Sequence, residues 1–335
     1  MRTPVGADRA APPAARKSAV IGAGGCGSAI AHRLAACGLF DAVLLADVRQ
    51  GRAQGRALDI DQAACIEGFR ARTTGVTLRG KDDYRAIAGS QVVVIAPGLS
   101  RRPGMRRADL LEANAEAVAA AAMGVRRFAP EAVVIVITNP LDEMTALAQE
   151  VSGQRPEQVI GQAGVLDSAR FRYAVAQELG VPVAAVQAVV LGPHSEESVP
   201  LVSACRVDGR PLAGLLPADR IKAVVEHARH GGAHIVGLLR TGSTSVAPSA
   251  AALRMIQAIV TDSNAELPVC TRLRGEYGID GVCLGVVATL GVSGVTSVVE
   301  HAMAPEELRA LRAAAELVRP HQLALRETAT ARVAG

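Results

Sequence analysis

The ten residues Ser18–Gly27 constrain this chain more than any others. A short apolar strand, Ser18–Ile21, runs directly into Gly22-Ala-Gly24-Gly-Cys-Gly27. A helix over Ser28–Cys37 follows, and Gly38 stops it as a C-terminal cap. A second apolar strand, Ala42–Ala46, then ends in Asp47, 20 residues past Gly27. Glycine-rich turns alone are common, and a bland reading is a tight strand-to-helix turn with a surface acid. The combination of strand, glycine turn, helix and strand-end acid is specific for a dinucleotide. The glycines let backbone approach a pyrophosphate, and the helix N-terminus presents N–H groups and the positive end of its dipole. Asp47 suits the adenine-ribose hydroxyls and repels a 2′-phosphate, so NAD is favoured over NADP.

Strand and helix keep alternating to about residue 160. A helix is expected over 51–68, a strand over Val76–Leu78, and a buried parallel strand over Gln91–Ala96 (QVVVIA). Residues 97–107 then read Pro-Gly-Leu-Ser-Arg101-Arg-Pro-Gly-Met-Arg106-Arg107. Such a basic loop at the carboxyl edge of the sheet reads either as a ligand-binding segment or as a solvated loop. A long helix covers Ala108–Ala129, with Leu111, Ala115, Val118, Ala122 and Val125 on one face. The strand Ala132–Ile137 ends in Thr138-Asn139-Pro140, where Asn139 is either a turn residue or a ligand contact, and Pro140 opens the next helix. This pattern predicts a Rossmann-type doubly wound parallel sheet over 18–160.

The second half differs, and 161–330 reads as a mixed α+β catalytic domain. A helix is expected over 167–179 and strands over 185–191 and 198–207. A helical region over 218–240 is broken at Gly231-Gly232, and a helix over 248–261 follows. Strands then fill 264–300, and a last helix starts at Pro305. Residues 1–17 are Pro-, Ala- and Arg-rich and read as a disordered tail, with a transit peptide as the weaker alternative.

The second informative stretch is Val189–Val199, Val-Val-Leu-Gly-Pro-His-Ser-Glu-Glu-Ser-Val. One histidine, His194, follows a Gly-Pro turn. Upstream, Gly164-Val-Leu-Asp-Ser-Ala-Arg170 sets an aspartate and an arginine three apart. His194 reads as a proton donor, Asp167 as its orienting partner and Arg170 as a carboxylate clamp.

Composition narrows the function. The net charge is +4 over 335 residues, and aromatics are 2% with no Trp, so a nucleic-acid surface is not implied. The six cysteines are scattered without a CxxC, which points to a reducing, cytoplasmic setting with no zinc site. No apolar run reaches membrane-spanning length. His227, His230 and His234 have helical spacing, but they read as surface histidines lacking an acidic ligand pair, so no metal is expected. Cys26 near a helix N-terminus could have a lowered pKa, yet reads as a small packing residue.

Taken together, GAGGCG (22–27), AQGRALDIDQAACIEGF (53–69), PGLSRRPGMRRADLL (97–111), VIVITNPLDEMT (134–145), VIGQAGVLDSARFR (159–172), GGAHIVGLLRTGS (231–243) and GEYGIDGVCLGV (275–286) resemble the lactate/malate dehydrogenase family. The closest branch is the malate dehydrogenases that look like lactate dehydrogenase. The resemblance implies NAD-dependent interconversion of a 2-hydroxy and a 2-keto acid in the tricarboxylic acid cycle, by a homotetramer or homodimer. It implies that His194 is the acid/base, that Asp167 favours its imidazolium, and that Arg170 binds the C1 carboxylate. Arg107, on a loop that folds over the site, polarises the carbonyl. Arg101 reads the far end of the substrate, and an arginine there suits a second carboxylate, hence malate and oxaloacetate. Asn139 contacts nicotinamide and substrate. The implied cofactor contacts are Gly22, Gly24, Gly27, Asp47, Asn114, Thr138 and Asn139.

The chain departs from the family where Gly-His-Gly-Asp is usual and Pro193-His194-Ser195-Glu196 stands. Arg106 stands where a small residue is usual, and Gln162 where methionine is common. Thr244-Ser245-Val246 lacks the usual aromatics. Rival readings are a dehydrogenase of another 2-hydroxy acid, or a catalytically impaired NAD-binding relative.

Overall fold

Strand β1 (Lys17–Ile21) pairs in parallel with β2 (Ala42–Asp47) on one side and with β4 (Val92–Ile95) on the other. The computed structural model describes residues 15–99, 107–240 and 242–334, without the side chains of 107–110 and 328–334. Helix α1 (Gly25–Ala36) joins β1 to β2, and α2 (Arg52–Glu67) leads to β3 (Arg72–Thr77). After β4 come α3 (Arg107–Phe128), β5 (Val133–Val136), α4 (Leu141–Ser152) and β6 (Val159–Gly161). The parallel order is β3-β2-β1-β4-β5-β6. The chain therefore reverses direction across the sheet between β1 and β4, and ligands of doubly wound folds bind at that reversal.

Alternate strand residues face opposite layers, as the two-residue period of a strand requires. Ile21, Ile95 and Val136 pack with Val118, Ala122 and Val125 of α3 and Met144 and Leu147 of α4. Val20, Val94 and Ile135 pack on the other face with Ile30 and Leu34 of α1. Met255, Ile256 and Ile259 join that second layer from α7 (Val246–Val260), so both halves of the chain share it.

Helix α5 (Gly164–Leu179) opens the second half. The strand segments β7 (Val186–Gln187), β8 (Val190–Leu191), β9 (Val199–Pro200), β10 (Arg206–Val207) and β11 (Arg210–Pro211) follow, then α6 (Ala218–Leu239). The antiparallel meander β12 (Ala265–Arg274), β13 (Asp280–Gly291) and β14 (Gly294–Val298) joins the parallel sheet through the Cys270–Gly161 pair of β12 and β6. Helix α8 (Pro305–Ala334) then lies across β13 and α4.

Several expectations shift. Helix α1 starts at Gly25, inside the glycine stretch, because Gly24 already serves as its extended N-cap. Strand β3 begins at Arg72, since its polar first residues pair with β2 through backbone alone. Lys17, assigned to the tail, begins β1, and its ammonium donates to the carbonyls of Ala86 and Ala88; residues 1–14 lie outside the described residues. The strands expected over 185–191 and 198–207 are two-residue pieces: Gly192 turns at φ +85° after β8, and a turn closed by the Ala204 and Cys205 N–H groups on the Leu201 and Val202 carbonyls separates β9 from β10. Helix α6 runs unbroken through Gly231-Gly232. Gly232 packs closely on Arg170, where a Cβ would lie 3.0 Å from a guanidinium nitrogen, while one on Gly231 would make an ordinary contact with the same side chain.

Candidate active site

The nucleotide end is built from the β1–α1 turn. Gly22 has φ +106°, and a Cβ there would fall 2.6 Å from the Ala96 and Pro97 backbone at the end of β4. A Cβ on Gly27 would lie 1.9 Å from the Gly22 carbonyl oxygen. The chain's own packing thus requires those two glycines. It does not require Gly24, where an added Cβ meets nothing within 4 Å. No side chain caps the N-terminus of α1. Open space beside uncapped N–H groups at the β1/β4 reversal fits a diphosphate.

Asp47 ends β2 as expected and is buried. Its carboxylate accepts from the Ala23 N–H at 2.8 Å and the Arg49 N–H at 2.9 Å, which ties the acid to the glycine turn. Each oxygen keeps a lone pair for a ribose hydroxyl. Burial raises the Cys26 thiol to about 11, so the packing reading of Cys26 holds.

Asn114 and Thr138 serve first as braces. The Asn114 side chain accepts from the Leu99 N–H at 2.8 Å and donates to the Asn139 carbonyl at 2.7 Å. The Thr138 hydroxyl donates to the Pro97 carbonyl at 2.6 Å. Both are buried, whereas Asn139 is exposed at the carboxyl end of β5. The two residues hold the ends of β4 and β5 at a fixed separation along the cleft.

The chemical end is built by α5 and the loop after β8. Asp167 lies in the first turn of α5 and Arg170 one turn later, on the same face. The Ser168 hydroxyl accepts from the Val190 N–H at 2.9 Å and fixes α5 against β8. Gly192 and Gly285 exchange backbone hydrogen bonds at 2.8 and 3.2 Å. A Cβ on Gly285 would fall 2.3 Å from the Gly192 oxygen, so β13 holds the turn that delivers His194.

His194 Nδ1 lies 2.7 Å from Asp167 Oδ2, and Arg170 Nη1 donates to Asp167 Oδ1 at 3.2 Å. All three side chains are largely buried, at 15–17% exposure. Burial is the largest single influence on His194 and pushes its pKa down. Asp167 opposes it by charge and hydrogen bond, Arg170 works against that, and Asp142 adds to it. The net result is a pKa above the ordinary histidine value. With Nδ1–H directed at the carboxylate, Nε2 is the nitrogen left to exchange a proton.

Sequence reasoning missed two supports. The Asp142 carboxylate, in the first turn of α4, accepts from the His194 backbone N–H at 2.8 Å. The Arg229 guanidinium, on α6, donates twice to the Ser198 carbonyl, at 3.1 and 2.8 Å, and so pins the far end of the His194 loop. An acid after Asn-Pro reads from sequence only as a helix-start residue, so nothing signals a contact 52 residues away. One expectation about the histidines also changes. His230 does face two acids, Glu226 at 3.6 Å and Glu196 at 3.8 Å. Among the described residues no group of three or more His, Cys, Asp or Glu is arranged to hold a metal. Arg101 lies outside the described residues, as does the side chain of Arg107. No described helix is long and apolar enough to cross a membrane.

Comparison with known proteins shows the family. Residues 16–161 match the lactate/malate dehydrogenase NAD-binding domain, and residues 164–321 match the α/β C-terminal domain of the same family. A malate dehydrogenase of Roseiflexus sp. is 42% identical over 302 residues, covering 90% of this chain and 96% of that protein. The structure of the malate dehydrogenase from Picrophilus torridus superposes with a TM-score of 0.90 at 34% identity, covering 95% of this chain and 99% of that one. A Cryptosporidium parvum lactate dehydrogenase, complexed with lactic acid and nicotinamide adenine dinucleotide, superposes with a TM-score of 0.88 at 37% identity, covering 93% and 98%. A strand order of β3-β2-β1-β4-β5-β6, a glycine turn tied to Asp47 and a buried His–Asp–Arg cluster, with family matches over both halves, place this chain in the lactate/malate dehydrogenase family.

Proposed function

We propose that the chain is an NAD-dependent malate dehydrogenase that interconverts oxaloacetate and (S)-malate, with His194 as acid and base. The observation that carries this reading is the buried cluster in which Asp167 contacts both the His194 ring and the Arg170 guanidinium. Relatives named malate dehydrogenase support it at 42–44% identity.

In the reducing direction, His194 holds a proton on Nε2 and gives it to the ketone oxygen. Asp167 keeps the ring oriented and stabilises the imidazolium. The glycine turn and Asp47 would hold NADH, which would supply a hydride to the carbonyl carbon. Arg170 takes the C1 carboxylate in a two-pronged hydrogen bond and fixes the face presented to His194. Arg107 stabilises the negative charge developing on oxygen. Arg101 pairs with the second carboxylate. Asn139 contacts nicotinamide and substrate. In the oxidising direction neutral His194 takes the hydroxyl proton back. Residues 18–160 carry the cofactor and 161–330 the substrate chemistry, in a cytoplasmic homotetramer or homodimer.

The cofactor reading has its own test in two glycines. Gly24→Ala is expected to leave the melting temperature unchanged and to weaken NADH binding, because its methyl enters only the space assigned to the diphosphate. Gly27→Ala is expected to destabilise the fold by about 1–3 kcal/mol or more, because its methyl meets the Gly22 carbonyl. Thermal melts and NADH titration by fluorescence measure both. Unweakened NADH binding in Gly24→Ala would remove the diphosphate from that space.

A lactate-type reading has one specific support. The Cryptosporidium parvum lactate dehydrogenase is about as similar to this chain as the malate enzymes of known structure. Arg101→Gln tests malate against it. Removing one charge-assisted contact of about 1.5–3 kcal/mol lowers kcat/KM for oxaloacetate by about 10–100-fold. Turnover of pyruvate is expected to be spared. Equal losses on both substrates would make Arg101 a general loop residue and remove the basis for a dicarboxylate.

A further inference from the structure

Asp142 is almost fully buried, at 1% exposure, and lies on α4, in the half of the chain assigned to the cofactor. Its carboxylate nevertheless accepts a 2.8 Å hydrogen bond from the backbone N–H of His194, in the other half. His194 is therefore held twice, by Asp167 at the ring and by Asp142 at the main chain. Pro193 lacks an N–H, so no donor on that residue shares the load, and the Ser195 N–H turns back to the Pro193 carbonyl at 2.8 Å. Resting on the reading of His194 as the acid/base, we propose that Asp142 is a positioning residue. It fixes the backbone of the proton donor from beneath and adds a second negative charge near the ring.

The groups around Asp142 make its charge responsive. Burial is the main cause that raises its carboxyl, to about 7, and the neighbouring Glu143 adds to the rise. The His194 N–H, the charge on His194 and the Cys270 thiol of β12 pull it the other way. His321 of α8 stands 3.7 Å from Glu143. Arg170 and Asp167 face His194 from α5. A carboxyl that titrates near neutrality beside a proton-donating histidine couples the two ionisations. Ionised Asp142 favours the imidazolium, and protonated Asp142 releases part of that bias.

The test is a histidine-ring NMR titration of the protein without substrate, with His194 assigned by the resonance lost in His194→Gln, together with steady-state kinetics. Asp142→Asn keeps an acceptor for the His194 N–H and removes the charge. Its His194 midpoint is expected to move to lower pH, with KM for NADH unchanged. Asp142→Ala also removes the acceptor, and kcat is expected to fall about 10–100-fold as the ring loses its placement. Should neither variant fold, Glu143→Gln tests the same link in the opposite direction. It lets Asp142 ionise more readily and is expected to move the His194 midpoint up. An unmoved midpoint in whichever of Asp142→Asn or Glu143→Gln folds overturns the proposal. So does an unchanged kcat in a folded Asp142→Ala. The ring titration needs no substrate, so a wrong substrate assignment leaves this result readable.

Discussion

His194→Asn lowers kcat for oxaloacetate reduction by about 10²–10⁴-fold, the usual worth of a positioned general acid. NADH affinity stays as it is, because the ring belongs to the α5 cluster and not to the glycine turn. The pH dependence carries the sharper signature. Asp167 and Asp142 outweigh burial and Arg170, so the His194 ring stays protonated above the ordinary histidine value. A raised pKa means the imidazolium is fully present below the unfolded value and disappears as pH climbs through the folded one. Ketone reduction therefore falls off on the alkaline side of the ordinary histidine range, and hydroxy-acid oxidation rises through the same window. In His194→Asn both limbs vanish. A variant retaining a wild-type pH profile would assign the proton to another group.

The second large effect is at Arg170. Arg170→Lys keeps the charge but gives up the planar fork, and one prong of a charge-assisted carboxylate pair is worth about 1.5–3 kcal/mol. KM for the keto acid is expected to rise about 10–100-fold by steady-state kinetics. Arg170 also donates to Asp167 and lowers the His194 pKa. Lysine keeps that charge, so the alkaline limb is expected to stay near its wild-type position. The two readouts separate lost substrate binding from a disturbed acid. A normal KM in Arg170→Lys would mean that the substrate carboxylate is bound elsewhere.

The parts of this protein that were legible in its sequence are those where one local pattern has one physical solution. GAGGCG followed by an acid 20 residues on has few alternatives, and Asp47 does close onto the glycine turn. Continuous apolar runs such as QVVVIA have to be strands covered on both faces, and β4 and β5 are. The resemblance singled out Asp167, Arg170 and His194, which the structure brings into contact. What escaped detection depends on the approach of distant segments. Gly231-Gly232 looks like a helix break because glycine is a poor helix former, yet the Arg170 side chain packs there, and a Cβ at Gly232 would crowd its guanidinium. The segments over 186–207 alternate like long strands, but their pairing is cut into short pieces: Val190 N–H goes to the Ser168 hydroxyl, and Gly192 bridges to Gly285 of β13. Asp142 gave no signal because its partner is a backbone N–H, which carries no mark in the sequence.

The most direct measurement is the ratio of kcat/KM for oxaloacetate to that for pyruvate, with NADH and purified protein. The ratio is expected to lie far above one, set by Arg101 against the second carboxylate. A ratio at or below one would contradict the malate reading. Absence of turnover on either acid with NADH still bound would contradict the role given to His194 as well.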